Sequence, residues 1–83
     1  MKTKFYNNLN QGTQSLVDWQ YHDCGDFGTA LWKAISQADQ SNLARLALAY
    51  PEHIEAYLFY TRAKGWWQKV QEGLGYAHTR NNG

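Results

Sequence analysis

An all-α fold, a compact bundle of three to five short helices with an irregular N-terminal segment, is what this 83-residue sequence predicts, on three observations. Apolar residues recur at helical spacing from Phe27 to Thr61. Helix-ending signals, Tyr50-Pro51 and Lys64-Gly65, punctuate that stretch. One segment alone, residues 13–22, alternates as a strand does, and no second convincing strand is there to pair with it.

The elements follow in order. Residues 1–12 read as irregular, because Asn7-Asn8-Leu9-Asn10-Gln11-Gly12 is rich in turn formers. Phe5, Tyr6 and Leu9 are expected to fold back as a cover on the core. Over residues 13–22, Val17, Trp19 and Tyr21 alternate with Asp18, Gln20 and His22. A helical reading uses Leu16, Val17, Trp19 and Gln20, with Thr13 as N-cap. The missing partner strand favours the short helix. Cys24-Gly25-Asp26 then breaks the chain.

Residues 27–38 give the clearest helix, with Phe27, Ala30, Leu31, Ala34, Ile35 and Ala38 as the buried stripe. Asp26 stands where an N-cap belongs, and Trp32 and Lys33 fall beside the stripe. Asp39 ends this helix and caps the next, Gln40 to Ala49, whose face is Leu43, Leu46, Ala47 and Tyr50, with Leu48 off it. Pro51 suits the first position of a third helix, with Glu52 and Glu55 near its positive end. Its stripe is Ile54, Tyr57, Leu58 and Thr61, and Phe59 and Tyr60 widen the apolar surface. Trp66 and Trp67 begin a last segment, with Val70 and Leu74 on one side and Gly73 and Gly75 closing it. Residues 1–76 form one domain in this reading, with 77–83 a flexible tail. The expected core is Phe27, Leu31, Ile35, Leu46, Ile54 and Tyr57.

Composition narrows the function. Thirteen aromatics against 18% charged residues make the chain unusually ring-rich. No run approaches the ~20 apolar residues of a membrane span. Cys24 is alone, which excludes a disulfide scaffold. Two lysines near Met1 without an apolar run after them are not a secretory signal, so a reducing cytoplasm is the expected compartment. A net charge of +1 gives no global pull toward nucleic acid or an anionic membrane. The charge is nevertheless segregated: Asp18, Asp23, Asp26 and Asp39 face only Lys33 in residues 16–39, whereas residues 40–83 are mildly basic.

Four constellations bear on chemistry. Tyr21-His22-Asp23-Cys24 crowds reactive types together, but the spacing of His22 and Cys24 suits neither a metal site nor a nucleophile with its base. A turn with a half-buried thiol accounts for it. Asp23 and Asp26 as an acid/base pair lack any pocket to split their pKa values, and Gly25 and Gly28 do not make a phosphate loop. No enzyme activity, cofactor or metal is expected. Tyr60, Arg62, Lys64, Trp66, Trp67 and Lys69 interleave rings with cations, as single-strand nucleic-acid binders do. Rings and arginine are equally the residues of protein interfaces.

Gly25-Asp26-Phe27-Gly28-Thr29-Ala30-Leu31-Trp32-Lys33-Ala34-Ile35, Ala38-Asp39, Asn42-Leu43, Tyr50-Pro51-Glu52-His53-Ile54-Glu55-Ala56-Tyr57 and Gly65-Trp66-Trp67 resemble a group of small uncharacterised helical proteins of phages and mobile elements. The match covers roughly residues 13–70 and lies in helix caps and core positions, so it speaks to fold before activity. It implies a short accessory protein that binds a host or phage protein. Inhibitors of bacterial immunity of the anti-CRISPR type, acting on a CRISPR effector, are one such class. The expected function is therefore non-catalytic protein binding by surface occlusion, through Asp18, Asp23 and Asp26 as phosphate mimics, or through Tyr60, Arg62, Trp66 and Trp67 as anchors. The alternative is a small nucleic-acid-binding accessory protein using the aromatic and basic C-terminal helices.

Overall fold

In the computed structural model, residues 4–75 are described, and every regular element among them is helical: α1 (Lys4–Asn7), α2 (Gln11–Gln20), α3 (Gly25–Gln37), α4 (Gln40–Ala49), α5 (Pro51–Arg62) and α6 (Trp66–Leu74). The tail expected over 77–83 lies outside the described residues. The all-α class holds, but the described helices number six rather than three to five. The N-terminal segment is also more ordered than its turn formers suggested. One turn of helix, α1, lays Tyr6 into a buried cluster with Val17, Val70 and Leu74. Phe5 rests on Gly73, where an added Cβ would meet its ring carbons. Contacts with the other end of the chain hold this helix, and local propensity cannot report them.

Residues 13–20 are helical, in a helix that begins earlier than Thr13 and stops short of Tyr21 and His22. Asn10 is the cap, its side chain accepting the Thr13 backbone N–H at 2.8 Å. Thr13 is the residue whose amide is capped, and it is itself buried. The helix ends in a turn where His22 takes a left-handed φ of 60°. Histidine tolerates that region better than branched residues do.

Helix α3 corrects the expected stripe. Trp32 and Ile35 are completely buried, whereas Phe27 is 67% exposed. The buried face is turned toward Gly28, Leu31, Trp32 and Ile35, still at helical spacing. One indole fills more volume than the alanines of the rival stripe, and its N–H finds Ser15 Oγ at 2.8 Å. The expected Asp26 cap is also displaced. Cys24 holds the N-cap position without a side-chain capping bond, and Asp26 lies in the first turn.

Asp39 caps α4 as expected, accepting the Asn42 N–H at 2.8 Å. Pro51 opens α5. Arg62 ends it, short of Lys64, and Gly65 at φ 81° starts α6 instead of closing α5. Gly73 lies inside α6, which Gly75 terminates.

The most extensive helix contact joins α2 to α5. Gly12 makes it possible: a Cβ there would lie 2.2 Å from the Glu52 carbonyl carbon and oxygen. Leu16, on α2, enters a cluster with Trp32, Ile35, Ile54 and Ala56, while its neighbour Val17 enters the cluster beneath α1 and α6. A central α2 thus divides the core in two. Gly12→Ala is expected to lower stability by about 1–3 kcal/mol through forced separation of α2 and α5, despite about 1 kcal/mol of gained helix propensity. Leu48→Gln, at a residue 88% exposed, is expected to stay within about 0.5 kcal/mol of the parent. Urea unfolding of the three proteins checks both.

Candidate functional site

Three surface features collect the candidate residues. The first is built where α5 turns into α6. Tyr60, Thr61, Arg62, Lys64, Trp67 and Gln68 line a recess of about 410 Å³ there. Gly65 supplies the left-handed turn that brings α6 back beside the end of α5. The two adjacent indoles then diverge. Trp66 stacks on Phe59 at 5.5 Å and 20°. Trp67 meets Tyr60 edge-on at 5.4 Å and Tyr21 at 6.3 Å. Both tryptophans remain half-buried, so neither is wholly core nor wholly free.

These rings continue inward. Tyr60 sets its edge against Trp19 at 6.5 Å, and Trp19 stacks on buried Trp32 at 5.2 Å and 8°. Tyr60 also donates its hydroxyl to Gln20 Oε1 at 3.1 Å, and Gln71 Nε2 donates to the Tyr21 hydroxyl at 3.2 Å. A surface ring is thereby tied to the core through four aromatic contacts and two hydrogen bonds. The structure brings Tyr60, Arg62 and Trp67 together on one recess. Trp66 points to the neighbouring side, toward Phe59.

The second feature is acidic. Asp18 and Asp23 share a recess of about 320 Å³ with Tyr6, Ser15, Cys24 and His53. The Tyr6 hydroxyl donates to both Asp18 carboxylate oxygens, at 2.9 and 3.0 Å. Asp18 therefore has a structural task, latching α1 to α2. The Asp23 amide donates to the Asp18 carbonyl at 2.7 Å and closes the turn. Asp26 is exposed on α3 and does not line this recess. Cys24 is half-buried, its Sγ 3.3 Å from Thr29 Oγ1. No group of three or more His, Cys, Asp or Glu among the described residues is placed to hold a metal ion. No described helix is long and apolar enough to cross a membrane.

The third feature lies between α4 and α5, whose apolar residues spread past one face in the sequence through Leu48, Phe59 and Tyr60, without marking where a groove would lie. Ala47, Pro51, Ile54, Leu58, Phe59 and Ala63 line an open apolar groove of about 590 Å³ between α4 and α5, with Glu55 and Arg62 also on its wall. A neighbouring hollow of about 430 Å³ extends it along α4 to Gln40, Leu43 and Ala44. The signal was present as a second stripe on α5, Pro51, Glu55, Leu58 and Arg62, masked by the two charges within it.

No protein-family model, curated protein or solved structure matches the chain.

His53 gives the acidic recess a pH response. Its ring stacks on Trp32 at 5.5 Å and meets Tyr50 at 5.3 Å. Burial holds its pKa below the ordinary 6.5, against a smaller upward pull from Glu52. The folded chain thus keeps His53 neutral to lower pH than the unfolded chain does. Below 6.5 the unfolded state binds more protons, so stability falls as pH drops toward the lowered folded value. The urea midpoint of the parent is expected to fall more between pH 7.5 and 5.5 than that of His53→Gln.

Proposed function

We propose that this chain is a non-catalytic protein-binding module that docks through the aromatic recess at the α5–α6 turn and occludes a working surface of its target. The observation that carries this reading is the ring series Trp32–Trp19–Tyr60–Trp67, which holds the half-buried rings of Tyr60 and Trp67 in place in advance of binding. Aromatic anchors whose rotamers are already set lose little entropy on docking. A polar rim of Arg62, Lys64 and Gln68 surrounds them, the arrangement found at the energetic centre of protein interfaces. The target proposed with it is a host or phage protein, a host defence nuclease such as a CRISPR effector being one such class, and it is supported by the sequence resemblance alone. Asp26, exposed on α3, and Asp23, at the rim of the acidic recess, are the carboxylates offered to mimic phosphates against a basic groove, while Asp18 latches α1 through Tyr6.

Nucleic-acid binding is the second reading, favoured by Arg62 and Lys64 lining the same recess as Tyr60 and Trp67. Against it, Trp67 already spends its ring on Tyr60 and Tyr21, and the net charge is only +1.

The immobilised chain is expected to retain a protein from its native host that Trp67→Ala and Lys64→Glu, matched for helicity, retain about thirtyfold more weakly, a hot-spot loss of about 2 kcal/mol. Tight, salt-sensitive retention of DNA or RNA by the isolated chain in gel shifts decides for the second reading instead. Replacing Asp23 and Asp26 together by Asn is expected to weaken capture and flatten its salt dependence; unchanged affinity at low salt removes phosphate mimicry.

A further inference from the structure

Helix α5 carries two working sides. Glu52 accepts the Gly12 amide and Tyr60 donates to Gln20, so the 52–56–60 side belongs to α2. Pro51, Glu55, Leu58 and Arg62 follow at intervals of four, three and four residues along the groove beside α4. This is the spacing of a helix-pairing seam. On the other wall, α4 has no fully buried residue, and Leu43 and Ala47 are only partly covered. Phe59, 42% exposed, adds to the same apolar wall.

The charges choose the occupant. The groove wall holds one acid, Glu55, and one base, Arg62. Seven residues of helix place them about 10 Å apart along the axis, and neither has an ionic partner among the described residues. A second α5 laid parallel would oppose like charges. Laid antiparallel about a two-fold axis, it opposes Glu55 to Arg62 twice and sets Leu58 and Phe59 against their own copies. A surface with these properties is complementary to itself, which is the requirement for an isologous dimer. The net charge of +1 adds little repulsion between copies.

We infer that the α4–α5 groove is the interface between two copies of this chain, related by a two-fold axis crossing α5 near Leu58, with Glu55 of each copy opposite Arg62 of the other. The interface shares Arg62 with the rim of the aromatic recess, leaves Trp67 and the acidic recess outside it, and does not rest on the proposed docking function. Two short helices per copy make a small interface, below about 1,200 Å² in total, so the dimer belongs to the weak, reversible class.

Sedimentation velocity of the full chain at low salt, from about 1 μM to 1 mM, is expected to show a reversible monomer–dimer equilibrium. Glu55→Arg and Arg62→Glu, each at an exposed position and checked by circular dichroism, are each expected to weaken it about tenfold or more, because both opposed pairs become like-charged. An equimolar mixture of the two variants is expected to dimerise again, since each copy then meets opposite charges across the axis. A parent that stays monomeric at 1 mM overturns the inference and leaves the groove to a different protein. Self-association indifferent to both reversals, or a mixture no tighter than its components, overturns it equally by placing any dimer on another face.

Discussion

The approach of α2 to α5 at Gly12 is the constraint on which the rest of this structure depends. A methyl group at that position has no room, because backbone atoms of Glu52 and His53 occupy it. Contact at this range lets the Gly12 amide reach Glu52 Oε1 at 3.2 Å and seats Leu16 beside Ile54 and Ala56. With α5 fixed there, Tyr60 lies within reach of Gln20 and Trp19, and the ring series to the surface can close. Small residues at helix crossings act through distance: ring and side-chain contacts further along the pair exist only because the axes are near.

The division of the core follows from the same helix. Leu16 and Val17 differ by about 100° around α2, enough to send one toward α3 and α5 and the other toward α1 and α6. Trp66 and Trp67 pack against both clusters. A chain of this length has too little volume for one large core, and wide rings spanning two small clusters are a physical answer to that shortage.

Local chemistry made much of the fold legible. Asp39 and Pro51 mark helix starts by satisfying or lacking an amide, and neither needs a distant partner to do so. Elements held by remote contacts were not legible. Helix α1 exists because Tyr6 and Phe5 meet α6 nearly seventy residues away in sequence. The orientation of α3 depends on Trp32 finding Trp19 and Ser15 on another helix; hydrophobic spacing alone allowed the stripe through Phe27. Thr13 and Asn10 are both good caps by type, and only the actual path of the backbone separates them.

The candidate surfaces divide in the same way. Interleaved rings and cations near residue 60 were readable as a patch, because Tyr60, Arg62 and Trp67 are close in sequence and α5 and α6 are short. As phosphate mimics the three aspartates looked alike, yet Asp18 is held by Tyr6 while Asp26 is exposed on α3. The groove escaped because a stripe interrupted by Glu55 and Arg62 resembles a solvated face. Those same charges make it selective: a wholly apolar groove would accept any greasy helix, whereas one acid and one base at opposite ends favour a partner with reversed polarity. Since α5 bears the groove on one side and is clamped to α2 on another, each surface is presented by an already ordered element, and binding at either need not fix the helix first.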